Sequence, residues 1–223
     1  MTFGLWSFAA AAIAFGITAV SGKWLIPFLH ELKFGQTIRE EGPARHQKKQ
    51  GTPTMGGIMF ILGILVAVFL CVPAQYAMGT AETQLQQVRI YGGALMALGF
   101  GIIGFLDDYI SIVKKRNLGL TELQKLVLQF LVAGAYLASL YIAGETSAMV
   151  IPFIGLVDWG IFYWIIALLA IVGMVNAVNF TDGIDGLNST VTFFACLALM
   201  LCAGVMALSG LGLFACALAT YMT

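Results

Sequence analysis

The sequence predicts an all-α integral membrane protein: a polytopic helical bundle of six full spans plus a partial seventh, with the N-terminus outside. Three observations predict it. Of 223 residues, 60% are hydrophobic and only 10% charged, whereas soluble domains are about 45–50% apolar. The apolar residues gather into runs of about 18 or more, the length a helix needs to cross some 30 Å of hydrocarbon. The basic residues divide unequally between alternate connections.

Taken in order, the runs are roughly 5–22, 55–72, 90–106, 126–143, 159–178 and 187–208. A seventh begins at Leu211 and stops at Thr223, too short to cross the bilayer. Residues 149–157 are apolar as well, but their length and Pro152 fit an interfacial excursion rather than a span. The first run lacks a basic n-region and a small-residue cleavage site, so no cleavable leader is read. Gly92, Gly93, Gly99, Gly101 and Gly104 give the third span a small face, for close helix contact or for a ligand. Trp6, Trp24, Trp159 and Trp164 fall near the expected interfaces, where aromatic anchors sit. No internal repeat interrupts this pattern, and residues 1–223 read as one transmembrane domain.

Charge sets the orientation. The connections after spans one, three and five hold Lys33, Arg39, Arg45, Lys48, Lys49, Lys114, Lys115, Arg116 and Lys125; the others hold Arg89 alone. Lys23 lies at the basic end of span one and snorkels there. Basic residues concentrate on the cytoplasmic side, so connections 30–54, 107–125 and 179–186 are expected in the cytoplasm. The cysteines at 71, 196, 202 and 216 form no C-x-x-C pair and read as small apolar packing.

Three constellations lie on that basic side. The first, "EEGPARHQKKQGTPTMGG", residues 40–57, is basic, then rich in Gly, Thr and Pro, and opens into span two. Backbone N–H groups at a helix start, Thr hydroxyls and Lys suit phosphate; the structural alternative is a positive-inside anchor with Thr54 as a cap. No P-loop order is present. In the second, "GFLDDYISIVKKRN", Asp107 and Asp108 follow span three immediately. Adjacent carboxylates repel and favour a shared cation or one protonated member, and oxygen ligands suit Mg²⁺. The alternative is a solvated helix end, which would leave the pair close to lipid. The third, "VNAVNFTDGIDGLNST", places Asn176, Asn179, Asp182 and Asp185 at every third position, among glycines. A helical or tight-turn backbone brings them towards one side, where amides and carboxylates suit a sugar nucleotide; a polar turn between helices is the alternative. The EF-hand spacing is missing. Because all three share one face, they point to phosphoryl chemistry on a lipid, one substrate arriving through the bilayer and the other through water.

"RHQKKQGTPTMGG", "GFLDDY" followed by "VKKRN", and "NAVNFTDGIDGL" together resemble the bacterial phospho-N-acetylmuramoyl-pentapeptide transferases. These are a branch of the polyprenyl-phosphate N-acetylhexosamine-1-phosphate transferases. The resemblance runs from the first basic connection through span six, and the "KKQGTPTMGG" form is similar to the muramoyl-pentapeptide branch. It implies attack by undecaprenyl phosphate on the β-phosphate of UDP-N-acetylmuramoyl-pentapeptide with Mg²⁺ present, giving lipid I and UMP at the bacterial cytoplasmic membrane. By motif, Asp107 and Asp108 match the acidic pair, Asp107 as base or positioner of the lipid phosphate and Asp108 as holder of Mg²⁺ or its water shell. Lys49, Thr54, Asn179, Asp182 and Asp185 match positions on the nucleotide side, with Asn176 in the same motif, and Lys115 is a candidate for holding phosphate, the alternative for Lys114, Lys115 and Arg116 being a headgroup or orientation role. The expected partners are those two substrates and membrane lipid, with no nucleic acid; a homodimer is compatible with the sequence.

Members of that family are longer, with a further cytoplasmic aspartate in a G-D-T-G setting and a His-rich loop, neither of which occurs within these 223 residues. The resemblance makes that aspartate a Mg²⁺ ligand, so residues 1–223 alone are expected to release no UMP where an extended chain does. Two other readings compete. A related transferase taking UDP-N-acetylglucosamine would share the chemistry. A cation transporter would carry its charges near the bilayer midplane instead of at one face.

Overall fold

The computed structural model describes residues 2–31, 55–77, 84–114, 119–151, 153–182 and 186–205. Connection 32–54 and the apolar run 211–223 fall outside them. Helix α1 (Thr2–Glu31) passes its expected end at Gly22 and continues through Lys23 and Pro27. Lys23 therefore sits inside the helix, not at its end. Helix α2 (Gly57–Ala77) packs along α1 more extensively than any other pair of helices packs. Their seam is made of small residues: Ala10 and Ala14 on one side, Gly63 and Ala67 on the other. In lipid, where apolar burial drives little, such close contact supplies the packing energy. Val68, Cys71, Val72, Ile90 and Ala94 extend this core towards the third helix.

Gly63 is where the approach is tightest. A Cβ there would lie 2.6 Å from the Thr18 hydroxyl and 2.7 Å from the Ala14 carbonyl oxygen, and the latter is backbone that cannot swing away. Gly63→Ala is expected to lower stability by about 1–3 kcal/mol, the usual cost of overpacking. Thermal unfolding in detergent checks it; an unchanged midpoint would mean that the seam is looser than drawn.

Helix α3 (Gln84–Val113) carries a π-helical turn at Val88–Gly92 near its start. It extends beyond the expected end at Leu106, so Asp107 and Asp108 lie within the helix and not after it. Helix α4 (Glu122–Ile142) begins with a capping box, in which the Gln124 N–H donates to the Thr121 hydroxyl and the Thr121 N–H to the Gln124 side chain. It runs back antiparallel to α3. A β-hairpin follows, β1 (Ala148–Ile151) pairing with β2 (Gly155–Asp158) in the register Ala148↔Asp158 to Ile151↔Gly155. The described spans are helical as expected, and the segment read as an interfacial excursion carries this short two-stranded ribbon. Helix α5 (Ile161–Thr181) packs on α4, and α6 (Leu187–Val205) is the last described element.

Among the described residues, five helices are long and apolar enough to cross a membrane: Ala9–Glu31, Gly57–Ala74, Gln84–Val113, Glu122–Ile142 and Ile161–Thr181. In α6 the apolar stretch Leu187–Leu199 is shorter. The chain is a multi-pass membrane protein, and the many exposed Leu, Ile, Val and Phe side chains on these helices fit a lipid solvent.

At the hairpin end of the bundle, Arg89 donates to Glu145 through Nε at 2.5 Å and Nη2 at 2.6 Å. This bidentate pair joins the start of α3 to the segment after α4. The Arg89 hydrogen bond holds the Glu145 carboxyl below its ordinary value of about 4.5. A carboxyl depressed in the folded state contributes stability that is complete above that value and is lost as pH falls through the folded value. The melting temperature is therefore expected to drop below about pH 4.5, and Glu145→Gln should remove part of that slope. Identical pH profiles for the two proteins would contradict the assignment.

Candidate active site

At the opposite end, α2, α3, α4 and α5, with Asn188 at the start of α6, line a cleft of about 700 Å³. Four of its polar walls are Asp107 and Asp108 on α3, Lys125 at the start of α4, and Asn179 near the end of α5; Asp182 follows just after α5. Each arrives for a local reason. Asp107 and Asp108 occupy the last turns of α3. Lys125 lies four residues past the Thr121 cap and so faces back along the antiparallel neighbour. Asn179 lies in the last turn of α5, and Asp182 is the residue that caps its C-terminus.

Asp107 is held on both oxygens. Oδ1 accepts the Leu120 N–H at 2.8 Å and Oδ2 accepts the Lys125 ammonium at 2.8 Å. The loop closes this tightly only because residue 119 is glycine. A Cβ at Gly119 would overlap the carbonyl and Oδ1 of Asp107. The pair is about three-quarters buried on each side, where charge-assisted hydrogen bonds contribute about 1.5–3 kcal/mol each.

Asp108 turns to another element. It accepts a hydrogen bond from the Met55 backbone, in the turn Met55–Gly56 that opens α2. Met55 sits at φ 68°, a left-handed conformation uncommon outside glycine. The N-terminus of α2, which carries partial positive charge, lines the same cleft. A carboxylate has about four acceptor sites, and the Met55 N–H takes one.

The sequence-derived candidates divide three ways. Asp107, Asp108, Asn179 and Asp182 come together around the cleft. Asn176 does not line it: its Nδ2 donates to Gln129 Oε1 at 2.7 Å and to the Val172 carbonyl at 2.8 Å. That amide joins α5 to α4 inside the membrane span. Lys49, Thr54, Lys115 and Asp185 lie outside the described residues. Sequence reasoning missed Lys125 and Gln129, both of which line the cleft. Gln129 is only 3% exposed, and the available signal was a glutamine one turn from a lysine within a mostly apolar run.

The arrangement can do definite chemistry. Three carboxylates, those of Asp107, Asp108 and Asp182, together with one ammonium and a helix N-terminus bound the space. Its donors are all oxygen or nitrogen, and the carboxylates suit a hard cation that keeps its water and takes substrate phosphates. Among the described residues no three His, Cys, Asp or Glu side chains gather closely enough to form a complete protein cage.

Comparison with known proteins sharpens this. The model of glycosyl transferase family 4 matches residues 90–223. A pattern described as phospho-N-acetylmuramoyl-pentapeptide-transferase signature 1 matches residues 49–61. Curated relatives named phospho-N-acetylmuramoyl-pentapeptide-transferase include that of Desulfitobacterium hafniense, 43% identical over 208 residues, covering 92% of this chain and 59% of the relative. That of Geobacillus kaustophilus is 46% identical over 179 residues, 80% of this chain and 53% of the relative. That of Bacillus subtilis is 43% identical over 178 residues, 79% and 52%. The chain thus spans between half and three-fifths of the length of these relatives. With the family model matching more than half of the chain, the acidic pair included, the chain belongs to glycosyl transferase family 4.

Proposed function

We propose that this chain serves a phosphoglycosyl transferase that moves phospho-N-acetylmuramoyl-pentapeptide from its UDP carrier to undecaprenyl phosphate, giving lipid I and UMP. The observation that carries the reading is the cleft itself: adjacent carboxylates at the end of a membrane helix, each tied to a different neighbour. A phosphate oxygen of the lipid attacks the β-phosphorus, and the bond from that phosphorus to UMP breaks. Catalysis of such a step is mostly positioning and electrostatics. Asp107 takes the side of the lipid phosphate, as base or as the group that orients it through Lys125, whose ammonium offers donors to diphosphate oxygens. Asn179 and Asp182 take the nucleotide side. Asp108 would hold Mg²⁺ or its water shell, which when bound would supply charge neutralisation at the diphosphate oxygens.

The test is a chimera in which this chain replaces the matching stretch of the Bacillus subtilis relative, assayed for UMP release with both substrates, with and without Mg²⁺. Release with UDP-N-acetylmuramoyl-pentapeptide, and none with UDP-N-acetylglucosamine, supports the reading. The reverse preference, or no release from a folded chimera, would reject it.

The cleft end is proposed to face the cytoplasm, in the inner membrane of a bacterium, on the strength of nine basic residues against one between alternate connections. A thiol placed at Gln50 or Asn117 is expected to escape membrane-impermeant reagents applied outside intact cells. Clear external labelling would turn the bundle over and remove access of a cytoplasmic nucleotide to the cleft.

A further inference from the structure

The β1–β2 hairpin has no role in the cleft, which lies at the other end of α4 and α5. Its composition is unusual for an exposed ribbon. From Ala148 to Val157 no side chain is charged or hydrogen-bonding. A ribbon with one dry face alternates apolar and polar residues; here both faces are apolar. Val150 is 71% exposed, Ile154 and Leu156 each 73%, and Phe153 at the turn is fully exposed. The base is the opposite. The Ser147 hydroxyl donates to the Asp158 carboxylate, the Gly160 N–H donates to it at 3.0 Å, and the Trp159 N–H donates to the Ser147 carbonyl at 3.2 Å.

Two physical limits fix where such a ribbon can rest. In water, an isolated two-stranded hairpin is marginal at best, and an uninterrupted apolar surface on both faces would worsen it. In hydrocarbon, the outward-facing N–H and C=O groups along its two open edges would go unsatisfied, at several kcal/mol each. The zone that meets both demands is the headgroup region, where water and headgroup oxygens reach the edges while side chains dip into acyl chains. The neighbouring surface continues the pattern. Tyr141 and Ile142 at the end of α4 and Ile161 and Phe162 at the start of α5 are exposed apolar residues of spanning helices. Tyr141 also stacks edge-on with Trp164, an aromatic pair of the kind found at membrane boundaries.

We propose that the hairpin is an interfacial anchor whose apolar tip, Phe153 and Ile154, inserts into the phospholipid leaflet at the end of the bundle away from the cleft. Its partner is lipid, and the proposal is independent of the reaction proposed above. The test places the photoreactive residue p-benzoylphenylalanine at position 153. The full chain is reconstituted in phosphatidylethanolamine–phosphatidylglycerol vesicles, irradiated, and its adducts are read by mass spectrometry. The same residue at position 169, an exposed leucine within the α5 span, reports the yield for a side chain in hydrocarbon. The substitution at 153 is aromatic for aromatic at a site that packs against nothing, so folding is preserved. Acyl-chain adducts at 153 with a yield comparable to that at 169 are expected. Loss of lipid adducts at 153 to the level of an unirradiated sample, with those at 169 intact, would place the tip in water and overturn the proposal. A cross-linked dimer replacing the lipid adduct would overturn it equally, by assigning the tip to a second copy.

Discussion

Asp107→Asn, made in the chimeric enzyme, is expected to lower UMP release by about 10²–10⁴-fold, the usual contribution of a positioned acid–base group. Asparagine keeps the shape of the side chain and an oxygen for the Leu120 N–H, so the fold should survive and the loss should appear in turnover. The change removes the negative charge that holds Lys125 at 2.8 Å, so the ammonium loses its place beside the reacting phosphates. Asp108→Asn should also cost orders of magnitude, but with another signature. Its carboxylate faces the α2 N-terminus and is assigned to Mg²⁺, so the concentration of Mg²⁺ needed for half-maximal rate should rise for this variant and stay put for Asp107→Asn. Near-normal turnover in either variant removes the role given to that residue. An equal shift in Mg²⁺ requirement for both would show that the pair acts on the metal together.

Lys125→Met should be the most destabilising change at the cleft. It keeps the length and apolar stem of the side chain but leaves the Asp107 carboxylate, about three-quarters buried, without its cation. Breaking a buried pair from one side costs about 3–5 kcal/mol, and the residual exposure here argues for the lower end. The control is the double variant Asp107→Asn with Lys125→Met, in which no buried charge is stranded. It should melt above Lys125→Met alone, because contacting residues are coupled and their effects do not add. If the double variant instead melted lower by the sum of the two single effects, the 2.8 Å contact would not be an energetic interaction.

The sequence carried the membrane assignment because it rests on quantities that summation preserves: run length, apolar fraction and the side on which lysines fall. Boundaries were less legible. Apolar composition ends at Leu106, yet α3 continues to Val113, because the Leu120 N–H, Lys125 and Met55 make a polar surrounding in which the helix can go on past the hydrocarbon. The hairpin escaped for a related reason. Strands are recognised by alternation, and a ribbon apolar on both faces offers none. The acidic pair and the Asn179–Asp182 spacing were visible as local patterns. The Lys125–Asp107 pair and the Gln129–Asn176 amide pair span 18 and 47 residues of sequence, and nothing local in a single sequence announces such distant partners.

The π-helical turn at Val88–Gly92 bears on how α3 can tolerate changes in its own length. Each residue of an α-helix advances the side-chain direction by about 100°, so one residue gained or lost in a regular helix would swing everything on one side of the change out of phase. A wide turn holds one residue more than its α-helical equivalent, and shedding it leaves an ordinary helix. A deletion absorbed there would turn the wide turn into an α-helical one and leave Gln84–Gln87 and Gly93–Val113 close to their present relative phase. The acidic pair is thereby buffered against indels on the far side of the membrane, and the two ends of one helix are free to diverge separately.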